Sequence, residues 1–105
     1  MKILHILAFS LLASLLSTAA PSPRTPLPRE QPQWWRKQYE QQVEQIKNNP
    51  CGVLFLGDSI TDYWKREGKS IWEKAFSPYH PCNFGISGDQ TTNLIYRITD
   101  SGIPA

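Results

Sequence analysis

Histidine, cysteine, methionine and glycine are all scarce in this chain of 105 residues: two, two, one and six. Six glycines exclude a collagen-like repeat, and the two cysteines have neither CxxC spacing nor paired histidines that would mark a zinc site. Charge of either sign is also in short supply. Eleven Lys and Arg stand against nine Asp and Glu, with no block of one sign, so nothing electrostatic points to nucleic acid or an anionic membrane as partner. With 40% hydrophobic residues the chain is not of disordered composition. The longest apolar stretch, Ile3–Leu16, falls short of the roughly 20 residues that span a bilayer.

That stretch follows Lys2 and precedes the small residues Ser17, Thr18, Ala19 and Ala20. A basic start, a short apolar run and small residues before a cut describe a secretory signal peptide over residues 1–20, cleaved near Ala19/Ala20. The expectation is a secreted or periplasmic protein. No Cys follows the small residues, so no lipid-modified terminus is expected. An oxidising compartment permits one disulfide between Cys51 and Cys82, and two buried free thiols are the alternative.

Residues 21–32 hold five of the nine prolines and read as an extended Pro-rich linker. From residue 33 the pattern changes. Trp35, Tyr39, Val43 and Ile46 recur on one face of an amphipathic helix, which Asn48-Asn49-Pro50 stops. Core packing, rather than a sugar-stacking platform, is the favoured reading of the tryptophans. Val53–Leu56 is a short, wholly apolar run of the kind covered on both faces in a parallel sheet. Helices are predicted over 60–66, 71–76 and 91–99, the last with Leu94, Ile95 and Ile98 on one side. A second strand is predicted over 82–84, and Gly102 closes the last helix. Helix, strand, helix, strand, helix is the opening of an α/β parallel sheet. Two strands do not complete such a sheet, and residues 33–105 read as the N-terminal portion of a larger domain.

Ser59 directly follows the first strand, at the mouth of a helix. Ligands of open α/β sheets bind beyond the carboxyl ends of the strands, where free N–H groups favour developing negative charge. The simpler reading of Asp58 and Ser59 is helix capping. Asn83–Asp89, with two glycines after the second strand, shifts the weight, because Gly88 there can bring a backbone N–H to the same point.

Val53–Thr61 together with Asn83–Asp89 resembles the GDSL or SGNH hydrolases. The wider stretch from Ile71-Trp72-Glu73 to Gln90-Thr91-Thr92 is similar to the catalytic subunits of platelet-activating factor acetylhydrolase type Ib and their bacterial relatives. The resemblance implies a flavodoxin-like three-layer fold and serine-dependent hydrolysis of a short acyl, acetyl-type ester on a lipid or carbohydrate, without metal or other cofactor. It implies Ser59 as nucleophile and oxyanion donor, Gly88 as second oxyanion donor, and Asp58 and Asn83 as supports of the two loops. The partner is then a small-molecule ester, with no nucleic acid and no membrane span.

Two family elements have no counterpart here: the Asn of a GxND segment, and the DxxH pair that carries the general base. His80, before the second strand, lies at the wrong end to serve as base. The 105-residue polypeptide alone is therefore expected to be inactive. The alternatives are a non-catalytic secreted relative, or a small interaction module stapled by Cys51–Cys82.

Overall fold

The computed structural model describes residues 19–30 and 32–103. The leader expected over residues 1–20 lies outside them, except for Ala19 and Ala20. Helix α1 (Gln33–Asn48) precedes strand β1 (Val53–Gly57) and the short helix α2 (Ser59–Asp62), which tightens into a 3₁₀ turn over Tyr63–Lys65. Helix α3 (Lys69–Phe76), a 3₁₀ turn over Ser77–Tyr79, strand β2 (Pro81–Gly85) and helix α4 (Thr91–Asp100) follow. β1 and β2 are parallel, with Val53 opposite Pro81 and Gly57 opposite Gly85, so both strands end at one level.

Alternation along β1 sends neighbouring side chains to opposite faces. Leu54 packs with Trp35, Tyr39, Ile46, Phe84 and Ile86, the core under α1 and α4. Phe55 meets α3, its ring 4.6 Å from Trp72 and 5.0 Å from Phe76. Helices thus cover both faces of a parallel pair. This is an α/β architecture consistent with part of a flavodoxin-like fold.

Three sequence expectations are adjusted by the packing, and one holds. The α1 face is as expected, with Gln42 buried alongside Trp35, Tyr39 and Ile46. On α4 the buried positions are Asn93 and Arg97, with Tyr96 against the core, while Ile98 is exposed. Hydrophobicity alone pointed to the wrong stripe, because what α4 meets is polar: the backbone carbonyls at the strand ends. β1 is covered less completely than its sequence predicts, with Val53 and Leu56 exposed, because its sheet neighbour among the described residues is β2 alone. Finally, the Pro-rich segment is not free of the domain. The Leu27 N–H donates to Thr92 O at 3.0 Å and Asn93 Nδ2 donates to Leu27 O at 3.0 Å, fastening it to the start of α4.

At the amino end of the sheet the N–H groups of Gly52 and Val53 both donate to His80 O. That brings Cys51 beside Cys82, Cα atoms 5.6 Å apart, and the two sulfurs are joined. Among the described residues no helix is long and apolar enough to cross a membrane.

Candidate functional site

The segments carrying Ser59 and Gly88 leave the same, carboxyl, end of the two strands. Asp58 caps α2, its Oδ1 accepting from the Ile60 N–H at 3.0 Å, and Ser59 is the first residue of that helix. After β2, the Asp89 N–H donates to Ile86 O at 3.2 Å, closing a four-residue turn. Gly88 has φ +81°, which the third position of a type II turn requires and a side chain resists. Gly85 answers a different need: α2 lies so close that a Cβ there would run into the Asp62 nitrogen and the Thr61 carbonyl carbon.

Several bonds stitch the two loops together. Asn83 Nδ2 donates to Thr61 O at 2.6 Å, and Asn83 Oδ1 accepts from the Gly85 N–H at 2.9 Å. The Ile86 N–H donates to Gly57 O at 3.2 Å. Ser87 Oγ donates to Asp62 Oδ2 at 2.8 Å, while Asp62 Oδ1 accepts from Lys65 Nζ at 2.8 Å and Gln38 Nε2 at 3.1 Å. Burial acts to raise the pKa of Asp62, but the bonds from Lys65, Ser87 and Gln38 outweigh it and hold the carboxyl below its ordinary range. Lys65 Nζ also reaches Gly85 O at 3.0 Å. Neither the Ser59 N–H nor the Gly88 N–H is taken by a backbone acceptor among the described residues.

Beneath the loops lies a buried polar network. Arg97, fully buried, donates from Nε to Asp89 Oδ2 at 2.7 Å, from Nη1 to Phe84 O at 2.6 Å and from Nη2 to Gly57 O at 3.3 Å. Its Cζ lies 4.5 Å from the centre of the Phe84 ring. Asp89 Oδ1 accepts from Trp35 Nε1 at 2.6 Å. Burial lowers the pKa of Arg97, and the Asp89 carboxylate opposes that shift. No buried side-chain nitrogen or oxygen among the described residues lacks a partner.

An open cleft of about 300 Å³ lies at this end of the sheet, lined by Gly57, Asp58, Asp89, Gln90, Thr91 and Leu94. A hollow of about 390 Å³ at the other end, lined by Ile46, Cys51, Leu54 and Ile103, is apolar apart from Lys47. His80 is at that other end, one β-strand away from Ser59. Among the described residues no three His, Cys, Asp or Glu side chains gather as metal ligands would.

Ser59, Asp58 and Gly88 are therefore brought to one end of the sheet, and Asn83, in the middle of β2, joins them through its bond to Thr61 O. Asp62, Lys65, Ser87 and Arg97, which hold these loops, were missed by sequence reasoning. A signal for Arg97 existed: a lone cation on the inward arc of α4, three positions after Leu94 and one after Tyr96.

Parallel strands with helices on both faces, and a serine at the first strand-to-helix junction, define an α/β class with a candidate site at the carboxyl end of its sheet. Within that class the chain matches, over 64 residues, platelet-activating factor acetylhydrolase IB subunits. It is 38% identical to subunit alpha2 of Homo sapiens, 36% to alpha2 of Gallus gallus and 34% to alpha1 of Rattus norvegicus. Each match covers 61% of this chain and 27% of the relative, so the chain spans about a quarter of the length of the curated relatives it matches. No family model matches it. Over that stretch the chain is related to the GDSL-like acetylhydrolase Ib subunits, a partial relationship. The match to these subunits also corrects the expected compartment, because it points against a secreted or periplasmic location.

Proposed function

We propose that these residues form part of the active site of a serine ester hydrolase that cleaves a short acyl, acetyl-type ester on a lipid or carbohydrate. The observation that carries this reading is the pairing of two loops at the carboxyl ends of parallel strands, each with a backbone N–H left without a backbone acceptor, at Ser59 and at Gly88. The names of the acetylhydrolase relatives support the same chemistry.

In this reading Ser59 Oγ attacks the ester carbonyl, and its proton passes to a general base. The carbonyl oxygen, becoming an oxyanion, is met by the N–H groups of Ser59 and Gly88. Asp58 shapes the Ser59 turn, and Asn83 ties β2 to α2 through Thr61. The His80 side chain does not serve as base, because a base must come within about 3 Å of the hydroxyl and β2 separates them by roughly 15 Å. The 105-residue polypeptide by itself, lacking a DxxH pair, is inactive.

The alternative is a non-catalytic relative or a small interaction module, favoured by the joined Cys51 and Cys82. Against the module stands the incompletely covered apolar surface, with Ile60 75% and Ile71 61% exposed. A chimera decides. Residues 53–102 replace the corresponding stretch of the human alpha2 subunit, and hydrolysis of an acetyl ester is assayed with and without Ser59→Ala. Turnover that disappears in the Ser59→Ala chimera supports the hydrolase, whereas a folded chimera with no turnover refutes it.

A further inference from the structure

The segment ahead of α1 has no part in the reading above, yet it reaches the Gly88 turn. Pinned at Leu27 to Thr92 and Asn93, it directs the Arg29 side chain at the loop after β2. Arg29 Nη1 donates to Ser87 O at 3.0 Å and lies 3.6 Å from Asp89 Oδ1, and its guanidinium carbon rests 5.6 Å from the centre of the Trp34 ring. A Cβ on Gly88 would sit 3.0 Å from the same nitrogen. Asp89 already holds Arg97 at 2.7 Å, so the positive charge of Arg29 is in excess at this turn.

The Ser87 carbonyl and the Gly88 N–H are the two ends of one planar trans peptide and point in opposite directions. A charged donor on Ser87 O therefore does two things. It fixes the plane, and with it the direction of the Gly88 N–H, and it draws electron density through the amide so that the N–H becomes a stronger donor. The flip of this central peptide is what separates type I from type II turns, so a bond to Ser87 O selects between two arrangements of the Gly88 N–H. On the other flank Ser87 Oγ is held by Asp62.

We infer that Arg29 is a positioning residue for the Gly88 N–H, acting through the Ser87 carbonyl from outside the α/β unit. This rests on the reading of Gly88 as an oxyanion donor. Its partner groups are Ser87 O, Asp89 and the Trp34 ring.

The test uses the 105-residue chain labelled with nitrogen-15, as wild type, Arg29→Lys and Arg29→Ala, with thermal melts to confirm folding. In Arg29→Ala the Gly88 amide proton moves upfield. The flipped turn rises in population by about tenfold, the consequence of losing one charge-assisted hydrogen bond, and is seen as exchange broadening at Ser87 and Gly88. Arg29→Lys, which keeps a charged donor, restores most of the wild-type signal. A Gly88 resonance unchanged in Arg29→Ala overturns the inference, as does an equal displacement in both variants, which would report only a shifted segment. An inactive chimera beside a normal Arg29 response sinks the hydrolase reading alone, so the two failures are distinguishable.

Discussion

Arg97→Met is the perturbation on which most of the structure depends. The side chain is fully buried and makes donor bonds to Asp89, Phe84 O and Gly57 O, with Gln42 Oε1 at 3.5 Å. Methionine fills much of the volume but leaves those acceptors behind. The Asp89 side chain is 1% exposed, so its charge would be buried with only Trp35 and the more distant Arg29 to meet it. Removing one partner of a buried pair typically costs about 3–5 kcal/mol. A folded unit of this size has roughly 4–11 kcal/mol in total, so Arg97→Met should lose a large part of its stability, and most of it at the lower end of that range.

Urea denaturation followed by tryptophan fluorescence and far-UV circular dichroism measures the loss. The double variant Arg97→Met/Asp89→Asn supplies the control, because it removes the stranded carboxylate while keeping an acceptor for Trp35. It should regain about 1–3 kcal/mol over Arg97→Met alone, the non-additivity expected of groups in one network. A single variant within about 1 kcal/mol of wild type would refute the reasoning, and so would strictly additive losses.

Replacing both Cys51 and Cys82 with serine opens a loop of sequence separation 31, and a loss of about 3–4 kcal/mol in the urea midpoint analysis is expected. On the acid side, the lowered pKa of Asp62 means that its contribution is complete above the unfolded carboxyl value of 3.8 and disappears as pH falls through the lower folded value; Asp62→Asn should flatten that limb of the stability profile. On the alkaline side, burial first and the Asp100 carboxylate second raise the pKa of Tyr39 above its ordinary 10.0, so its contribution is complete below pH 10.0 and lost as pH rises through the folded value; Tyr39→Phe should remove this dependence in alkaline melts. A fluorophosphonate should leave Ser59 of the 105-residue chain unlabelled, read by intact mass, since no base activates it; labelling comparable to a competent serine hydrolase would contradict that.

The order of elements was legible because each rests on a local signal. Periodicity placed α1, the apolar run Val53–Leu56 placed β1, and Pro50 and Gly102 marked two ends; Gly102 does take the left-handed φ of +64°. The association of Ser59 with Gly88 was legible as a pair of loops after two strands, since a parallel pair must present both loops at one end. What was not legible is what holds them. Arg97, Asp62 and Ser87 are ordinary polar residues in a sequence, and their role depends on which backbone carbonyls and side chains come within 3 Å across 13 or 25 residues. The same applies to Arg29, whose proline-rich surroundings read as a linker because composition reports stiffness and not docking.

These particulars explain why α4 turns the polar residues Asn93 and Arg97 inward. The carboxyl ends of β1 and β2 leave the carbonyls of Gly57, Phe84 and Gly85 without strand partners on every side, and an apolar stripe laid over them would bury acceptors unpaired. Arg97 satisfies the first two and Gln42 and Lys65 the third, with Gln42 Nε2 at 2.9 Å from Gly85 O. Because Arg97 is anchored in turn by Asp89, the last residue of the Gly88 turn, the strand ends and that turn are fixed by one group. Loss of the Arg97–Asp89 pair should therefore loosen the Gly88 turn before it loosens the Cys51–Cys82 end of the sheet. Amide hydrogen exchange reads this order directly, and protection lost first around β1 at Val53 would show the coupling to run the other way.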